Sequence, residues 1–445
     1  MKKYLCLVFV LFVSACLPAK VYKGKCGKNV KWQYITDTQT LYIMGNGTMD
    51  DYGKYNLKDK KTPWDRFTEL RKVIVCDGVK SIGRHAFEKS ENLERVTFPE
   101  KANCYISAYA FCGCSKLDSL VISGAITSIG EYAFDRCYNL RTLLFMEGVR
   151  DINKSSFSAS RIKEVHLPAS LVSCIHPFDY CDSLAWISVS RNSKTFSSVS
   201  GRLCSKDSTT LYMLPNDELE RLNIMKTKMK RWLDLFNNRD EDVNGVIDSI
   251  RLSYINKIEA IDSREILWKE KGVFIIESNP LRKVAQGAIT GVKGMKHLVI
   301  EEGIEELERF SIGGGRDLIS ISFPSTLKSF VHGLNLCIGA GCTRIQQVFL
   351  ASEEPEQLFQ SALNSNQDNS HFIKYCWVLL EPLPGEIDAR KYCKWFVPRS
   401  VYSRYKNHPC WGQLNLNAVD YFETTKNIYW KNGDKYSYIR IYKDK

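Results

Sequence analysis

Asp240, Asp242, Asn244 and Asp248 stand at the first, third, fifth and ninth places of a loop frame with Gly245 at the sixth. Oxygen ligands at that spacing around a tight glycine turn are how a chain wraps a calcium ion. The twelfth place should supply a bidentate carboxylate, but it holds Arg251, whose charge repels the ion. The frame is a calcium loop in outline only, and neither a metal nor any other cofactor is expected. Sixteen cysteines raise the question of zinc or disulfides. No paired C-x-x-C motif occurs, and Cys112 and Cys114 are too close and isolated to hold a metal alone, so structural zinc is not expected. Cys337 and Cys342 are candidates for a disulfide in an oxidising compartment. The seven histidines are scattered, and H-E-x-x-H, G-x-S-x-G and G-x-x-x-x-G-K-[ST] are all missing. No catalytic residue is assigned, and the chain is not expected to be an enzyme.

The sharpest local chemistry lies at the start. Met1-Lys2-Lys3, an apolar run from Tyr4 to Val13 and the small residues Ser14-Ala15 read as a secretory signal peptide over residues 1–15. The apolar run is too short to remain as a membrane span, which needs about 20 residues. The ending Val13-Ser14-Ala15-Cys16 resembles a bacterial lipobox. That resemblance implies that Cys16 receives a diacylglyceryl group, becomes the new N-terminus and anchors the chain to a membrane. The chain is then an exported lipoprotein, at the outer membrane or cell surface. Leu17-Pro18-Ala19-Lys20, which follows, has no acidic run of the kind that directs some lipoproteins outward.

The formal charge of +12 favours acidic partners in general. Its Lys and Arg are spread along the chain without a dense basic arm, so nucleic acid is not expected as a partner. With 445 residues the chain exceeds what one compact core supports, which points to several domains or to a solenoid.

Internal repeats choose between these. Apolar residues at i, i+3 and i+5 recur as Leu70, Val73, Val75; Leu93, Val96, Phe98; Leu117, Leu120, Ile122; Leu140, Leu143, Phe145; Ile162, Val165, Leu167; and Leu184, Ile187, Val189. Their starts are 23, 24, 23, 22 and 22 residues apart. The alternation within each set is that of a short strand with one buried face. A second ladder pairs an Ile with a Phe five residues on: Ile82 and Phe87, Ile106 and Phe111, Ile129 and Phe134, Ile152 and Phe157. A third places Cys114, Cys137 and Cys181 three residues after a Phe position, with Ser90 there once. Units this small bury their apolar faces only by stacking, which makes a solenoid. The three cysteines are expected to be buried, reduced and inert.

Beyond Leu184 the ladder blurs. Leu219, Leu222, Ile224 and Ile247, Ile250, Leu252 fit it, with Met225–Asn238 as a candidate outer helix. Val284 and Ile289 keep the five-residue spacing, and clear repeats return at Met295, Leu298, Ile300, at Leu318, Ile321, Phe323 and at Ile345, Val348, Leu350. Val30–Ile35 and Leu41–Met44 read as a hairpin in a cap for the first coil. Asn432-Gly433 reads as a turn between aromatic segments of the tail.

Ser81-Ile82-Gly83-Arg84-His85-Ala86-Phe87 and its echo Ser128-Ile129-Gly130-Glu131-Tyr132-Ala133-Phe134 resemble the BspA-like leucine-rich-repeat family. Gly24-Lys25-Cys26-Gly27 through Thr62-Pro63-Trp64 is similar to the family's opening segment, and Trp395-Phe396-Val397-Pro398 to its closing one. The resemblance implies a mainly β leucine-rich-repeat solenoid of parallel strands at a period of about 23 residues, with an N-terminal β cap and few short helices. It divides the chain into a leader (1–15), linker and cap (16–66), regular repeats (67–215), degenerate repeats with insertions (216–294), further repeats (295–372) and a C-terminal cap with an aromatic tail (373–445). It also implies a binding or adhesion surface for host or matrix protein. The alternatives are a glycan binder and an envelope protein without soluble ligand. Tyr52, Tyr55, Tyr109, Tyr132, Tyr138 and Trp186 are the aromatic candidates for sugar stacking.

Overall fold

The computed structural model of the chain describes residues 20–53, 61–101, 103–237, 246–308, 310–330, 342, 344–358, 393–408 and 411–419. It is a solenoid built from two ladders of short parallel strands. The first ladder begins in the cap. There β1 (Val21–Gly27), β2 (Val30–Ile35) and β3 (Thr40–Gly45) form an antiparallel meander, and β3 pairs in parallel with Lys72–Val75, Leu41 opposite Val73. Trp32 and Tyr34 point inward and meet Trp64 and Phe67, the Tyr34 and Phe67 rings stacking at 4.1 Å. That aromatic plug closes the apolar layer that an unstacked first coil would expose.

Each following coil repeats one plan. Strands Lys72–Val75, Arg95–Thr97, Ser119–Ile122, Thr142–Phe145, Glu164–Leu167 and Trp186–Val189 form the main face. Their alternating burial puts Val73, Leu120, Leu143, Val165 and Ile187 inside. The second face holds Val79–Ile82, Cys104–Ile106, Ile126–Ile129, Asp151–Ile152 and Ser173–Cys174, with Ile82, Ile106, Ile129 and Ile152 in register. Between Val75 and Val79 the chain turns through Asp77-Gly78, and Met146-Glu147-Gly148 and Glu301-Glu302-Gly303 repeat that turn. The glycines sit at φ of +94°, +126° and +109°, where a Cβ is strained.

The third side is a turn row. Phe87, Phe111, Phe134 and Phe157 are fully buried and stack ring on ring at 5.0–5.2 Å, with Trp64 before them and Phe178 after. Backbone bonds run coil to coil along this row, from Phe111 N to Ala133 O and from Phe134 N to Ser156 O, both 2.7 Å. The residue two before each Phe is left-handed although none is glycine: His85, Tyr109, Tyr132 and Ser155 have φ of +52° to +59°. Four residues on, Lys89, Gly113, Arg136 and Ala159 are left-handed too.

An antiparallel meander of Phe196–Val199, Arg202–Ser205 and Thr210–Met213 leads into a second block. Its main face is Val273–Ile276, His297–Ile300, Ser320–Phe323, Gln347–Leu350, Lys394–Pro398 and Leu416–Val419, all parallel. Tyr405 donates to Ser352 O at 2.9 Å and Trp411 Nε1 to Pro355 O at 3.2 Å, tying the C-terminal segment to the last repeat.

Between Met213 and Val273 the structure departs from the expected ladder. Leu219, Leu222 and Ile224 lie on helix α1 (Glu218–Asn237), and Ile247, Ile250 and Leu252 on helix α2 (Val246–Lys271). These helices of 20 and 26 residues are few, as expected, but not short. Asp217 caps α1 by accepting Glu220 N at 3.1 Å, and Leu222, Met225 and Met229 continue at helical spacing against Ile261 of α2. The i, i+3, i+5 template was met here by chance, because a helix also places its apolar residues three and four apart.

Candidate functional site

The outer side of the main strand face differs between the two blocks. In the first block the outward positions in register are Ile74 and Thr97, then Val121 and Leu144, then His166 and Ser188. Val121, Leu144 and the adjacent Met146 are 50%, 52% and 53% exposed and together form an apolar patch. In the second block the matching positions Ile275, Val299 and Phe349 are in register through Ser322 and are buried. The first block therefore carries the open face.

The patch has charged borders. At the strand starts, Glu94, Arg95, Lys116, Asp118, Asn139 and Arg141 line a shallow depression. Arg71 pairs with Glu94 at 2.7 Å, and Lys116 reaches Asn92 Oδ1 at 2.7 Å, so the rim is tied coil to coil. At the strand ends Asp77 accepts Lys101 N and Glu100 N, and Glu147 accepts Ala169 N and Ser170 N. Those amides hold both carboxyls below the usual range, so the upper rim stays anionic.

Helix α1 bounds the face at its far end. Lys228 Nζ sits 3.4 Å from the centre of the Trp186 ring, and burial lowers its pKa against the pull of Glu164. A buried ion cluster fixes the helices to the solenoid. Arg221 binds Glu218 through two bonds of 2.5 and 2.6 Å, Arg202 binds Glu277 at 3.0 Å, and Arg264 also binds Glu277. Burial acts to raise the Glu277 carboxyl, but the guanidinium groups of Arg264 and Arg202 outweigh it and hold it well below the usual range.

The cysteine ladder is structural. Cys114, Cys137 and Cys181 are free and fully buried, and each thiol donates to the carbonyl of a phenylalanine one coil back: Phe87 at 3.3 Å, Phe111 at 3.5 Å and Phe157 at 3.2 Å. Burial raises all three thiols, Cys181 to about 12.

The aromatic candidates divide. Tyr52 is 2% exposed and packs edge-on against Trp64, so it is not a surface ring. Tyr109 and Tyr132 are half-buried and stack on each other at 5.0 Å, with His85 stacked on Tyr109 at 4.9 Å. Their faces are spent on one another. Trp186 is covered by Lys228, and Tyr138 is 50% exposed, the only one of the five described candidates so open. Tyr55 lies outside the described residues.

Ser155, His176 and Asp179 meet at the end of the first block. Ser155 Oγ donates directly to Asp179 at 2.7 Å. A serine nucleophile needs the imidazole at its own hydroxyl, so this trio is arranged for packing. Burial lowers the His176 pKa and raises that of Asp179. Among the described residues no three His, Cys, Asp or Glu gather as a metal site, and no helix is long and apolar enough to cross a membrane. Asp240, Asp242, Asn244 and Cys16 lie outside the described residues, as do Cys337 and the side chain of Asp248. Helix α2 begins at Val246, so Asp248 and Arg251, the ninth and twelfth places of the calcium-like frame, lie on that helix.

Sequence reading missed the open patch, the charged rims and the ion cluster. The turn acids were missed as well, although the recurring Asp/Glu-Gly pair before Val79, Val149 and Ile304 was a signal that could have found them.

Residues 65–185 match the model of the family described as BspA type leucine rich repeat region, in 6 copies. A leucine-rich repeat protein from Eubacterium ventriosum is 17% identical, with 77% of this chain and 83% of that one covered and a TM-score of 0.46. A leucine rich cell surface protein from Faecalibacterium prausnitzii is 16% identical over 79% and 96%, with a TM-score of 0.40. The pneumococcal vaccine antigen PcpA is 13% identical over 90% and 99%, with a TM-score of 0.42. No curated protein matches the chain.

Proposed function

We propose that this chain, a BspA-type leucine-rich-repeat protein through its residues 65–185, is a cell-surface lipoprotein anchored at Cys16 that binds a host or matrix protein without catalysis. The observation that carries the reading is the exposed patch of Val121, Leu144 and Met146 between charged rims. An apolar centre ringed by polar and charged groups is the composition of a protein interface. A sugar site is favoured by a row of open aromatic faces, whereas Tyr109 and Tyr132 turn one face each to the other and Tyr52 is buried. An envelope protein with no soluble ligand would gain nothing from an uncovered apolar patch.

Two experiments test this. Protease applied to intact cells should remove the full-length band without lysis; full protection would place the solenoid inside and end the host-adhesion reading. Immobilised matrix proteins should then capture the wild-type chain but not Leu144→Arg. Equal capture of both would move the interface elsewhere.

A further inference from the structure

The hairpin of β1 and β2 carries a one-sided charge. Lys20, Lys23, Lys25, Lys28 and Lys31 fall within 16 residues that contain no Asp or Glu, against a charge of +12 for the whole chain. All five are exposed. β1 is the outermost strand of its sheet, so these charges sit at the end of the solenoid. The antiparallel register sets Lys25 directly opposite Lys31, and Lys23 lies two residues along on the same side. Like charges facing each other across strands repel. None of the five has an acidic partner among the described residues. Val21, 45% exposed, and the half-buried Ile35, Tyr42 and Met44 share that side in register.

We propose that this basic end docks on an anionic phospholipid surface, with the lysines against headgroup phosphates. Charge complementarity names the occupant: a plane of phosphates neutralises the Lys25–Lys31 repulsion that the fold itself leaves standing. The length of the preceding chain agrees. Cys16 lies five residues before Val21, a reach of roughly 17 Å when extended, so a lipid there delivers this end first. Acyl chains combined with a basic patch hold a surface more firmly than one chain alone. Lysines on an edge strand also deter strand addition, but that use requires neither Lys31 on the second strand nor Lys28 in the turn. The lysines share the outward side of the main face, since Tyr42 in their row stands opposite Ile74, and five strand steps of about 4.8 Å separate β1 from the open patch on Ser119–Ile122.

The test uses the full chain and vesicles of phosphatidylcholine with and without phosphatidylglycerol. Binding should appear on the anionic vesicles and fall with added salt. The triple variant Lys23→Gln, Lys25→Gln, Lys31→Gln should bind roughly 100-fold more weakly, while the corresponding Arg variant keeps its binding. The leader is common to all variants and cancels. Equal binding to both vesicle types, or full binding by the Gln variant, would overturn the proposal. So would a Gln variant that self-associates while the wild type ignores anionic vesicles, which would assign the lysines to edge protection. Ligand capture through Leu144 is read separately, so either proposal can fail without the other.

Discussion

The two blocks share one strand ladder and differ in what lies on either side of it. In the first, strands such as Thr142–Phe145 alternate exposed with buried. In the second, Val273–Ile276 is buried at every position and His297–Ile300 nearly so. A strand apolar on both faces is one that must be covered on both. The inner turn row differs too. Stacked Phe rings with thiol donors fill it in the first block, whereas Ile289 and Ile312 pair there in the second. The first block invests its regularity in a rigid inner row and leaves its outer face open; the second closes its outer face. An open face and a closed one are thus divided along one solenoid.

The largest expected effect contrasts the outer faces. Val299→Arg forces an unpaired charge into a fully buried site and should cost more than about 3 kcal/mol. Leu144→Arg, at an exposed site, should stay within about 0.5 kcal/mol. Denaturant unfolding of both reads this, and equal losses would dissolve the contrast. The inner row comes next. Phe134→Ala removes a ring stacked on both sides and should cost about 3–5 kcal/mol; a loss below 1 kcal/mol would make the stack incidental.

The third prediction concerns the helical insertion. Glu277 titrates below its unfolded value, so its contribution is present above the ordinary carboxylate pKa of about 4.3 and is lost as pH falls toward the folded value. Hydrogen exchange in α2 should therefore rise in acid for the wild type, and Glu277→Gln should show raised exchange already at neutral pH. An α2 indifferent to both changes would remove the ion cluster as its clamp. The smallest effect belongs to the thiols. Cys137→Ala should cost about 1 kcal/mol, because Cys114 N still donates to the Phe111 carbonyl at 3.3 Å. A neutral Cys137→Ala would show that the thiol merely fills space.

The ladders were legible because stacking repeats the same physical demand every coil. Leu120 must be apolar for the same reason as Leu143, so the demand recurs at a fixed period. The cap hairpin was legible from its alternation. The helices were not, since Leu219, Leu222 and Ile224 satisfy a strand template and a helical one alike; Asp217 followed by Glu218 and Glu220 was the better signal. The open patch was not legible either. Val121 and Leu144 occupy outward positions, and only their exposure in the folded chain separates them from Val299 and Phe349, which occupy the same places under cover. The left-handed residues His85, Tyr109, Tyr132 and Ser155 include three side-chain types and no glycine, so no single letter marks them.

The thiols that donate to phenylalanine carbonyls make coil stacking a race. An unfolded chain carries its cysteines with ordinary acidity, open to any oxidant it meets. Once a coil closes, Cys181 moves from 9.0 to about 12, which cuts its reactive thiolate about a thousandfold. The coils that carry Cys114, Cys137 and Cys181 each withdraw one thiol from chemistry as they add one bond to the row. The folded solenoid thus shields these three sulfurs from any oxidant that would attack them in the open chain.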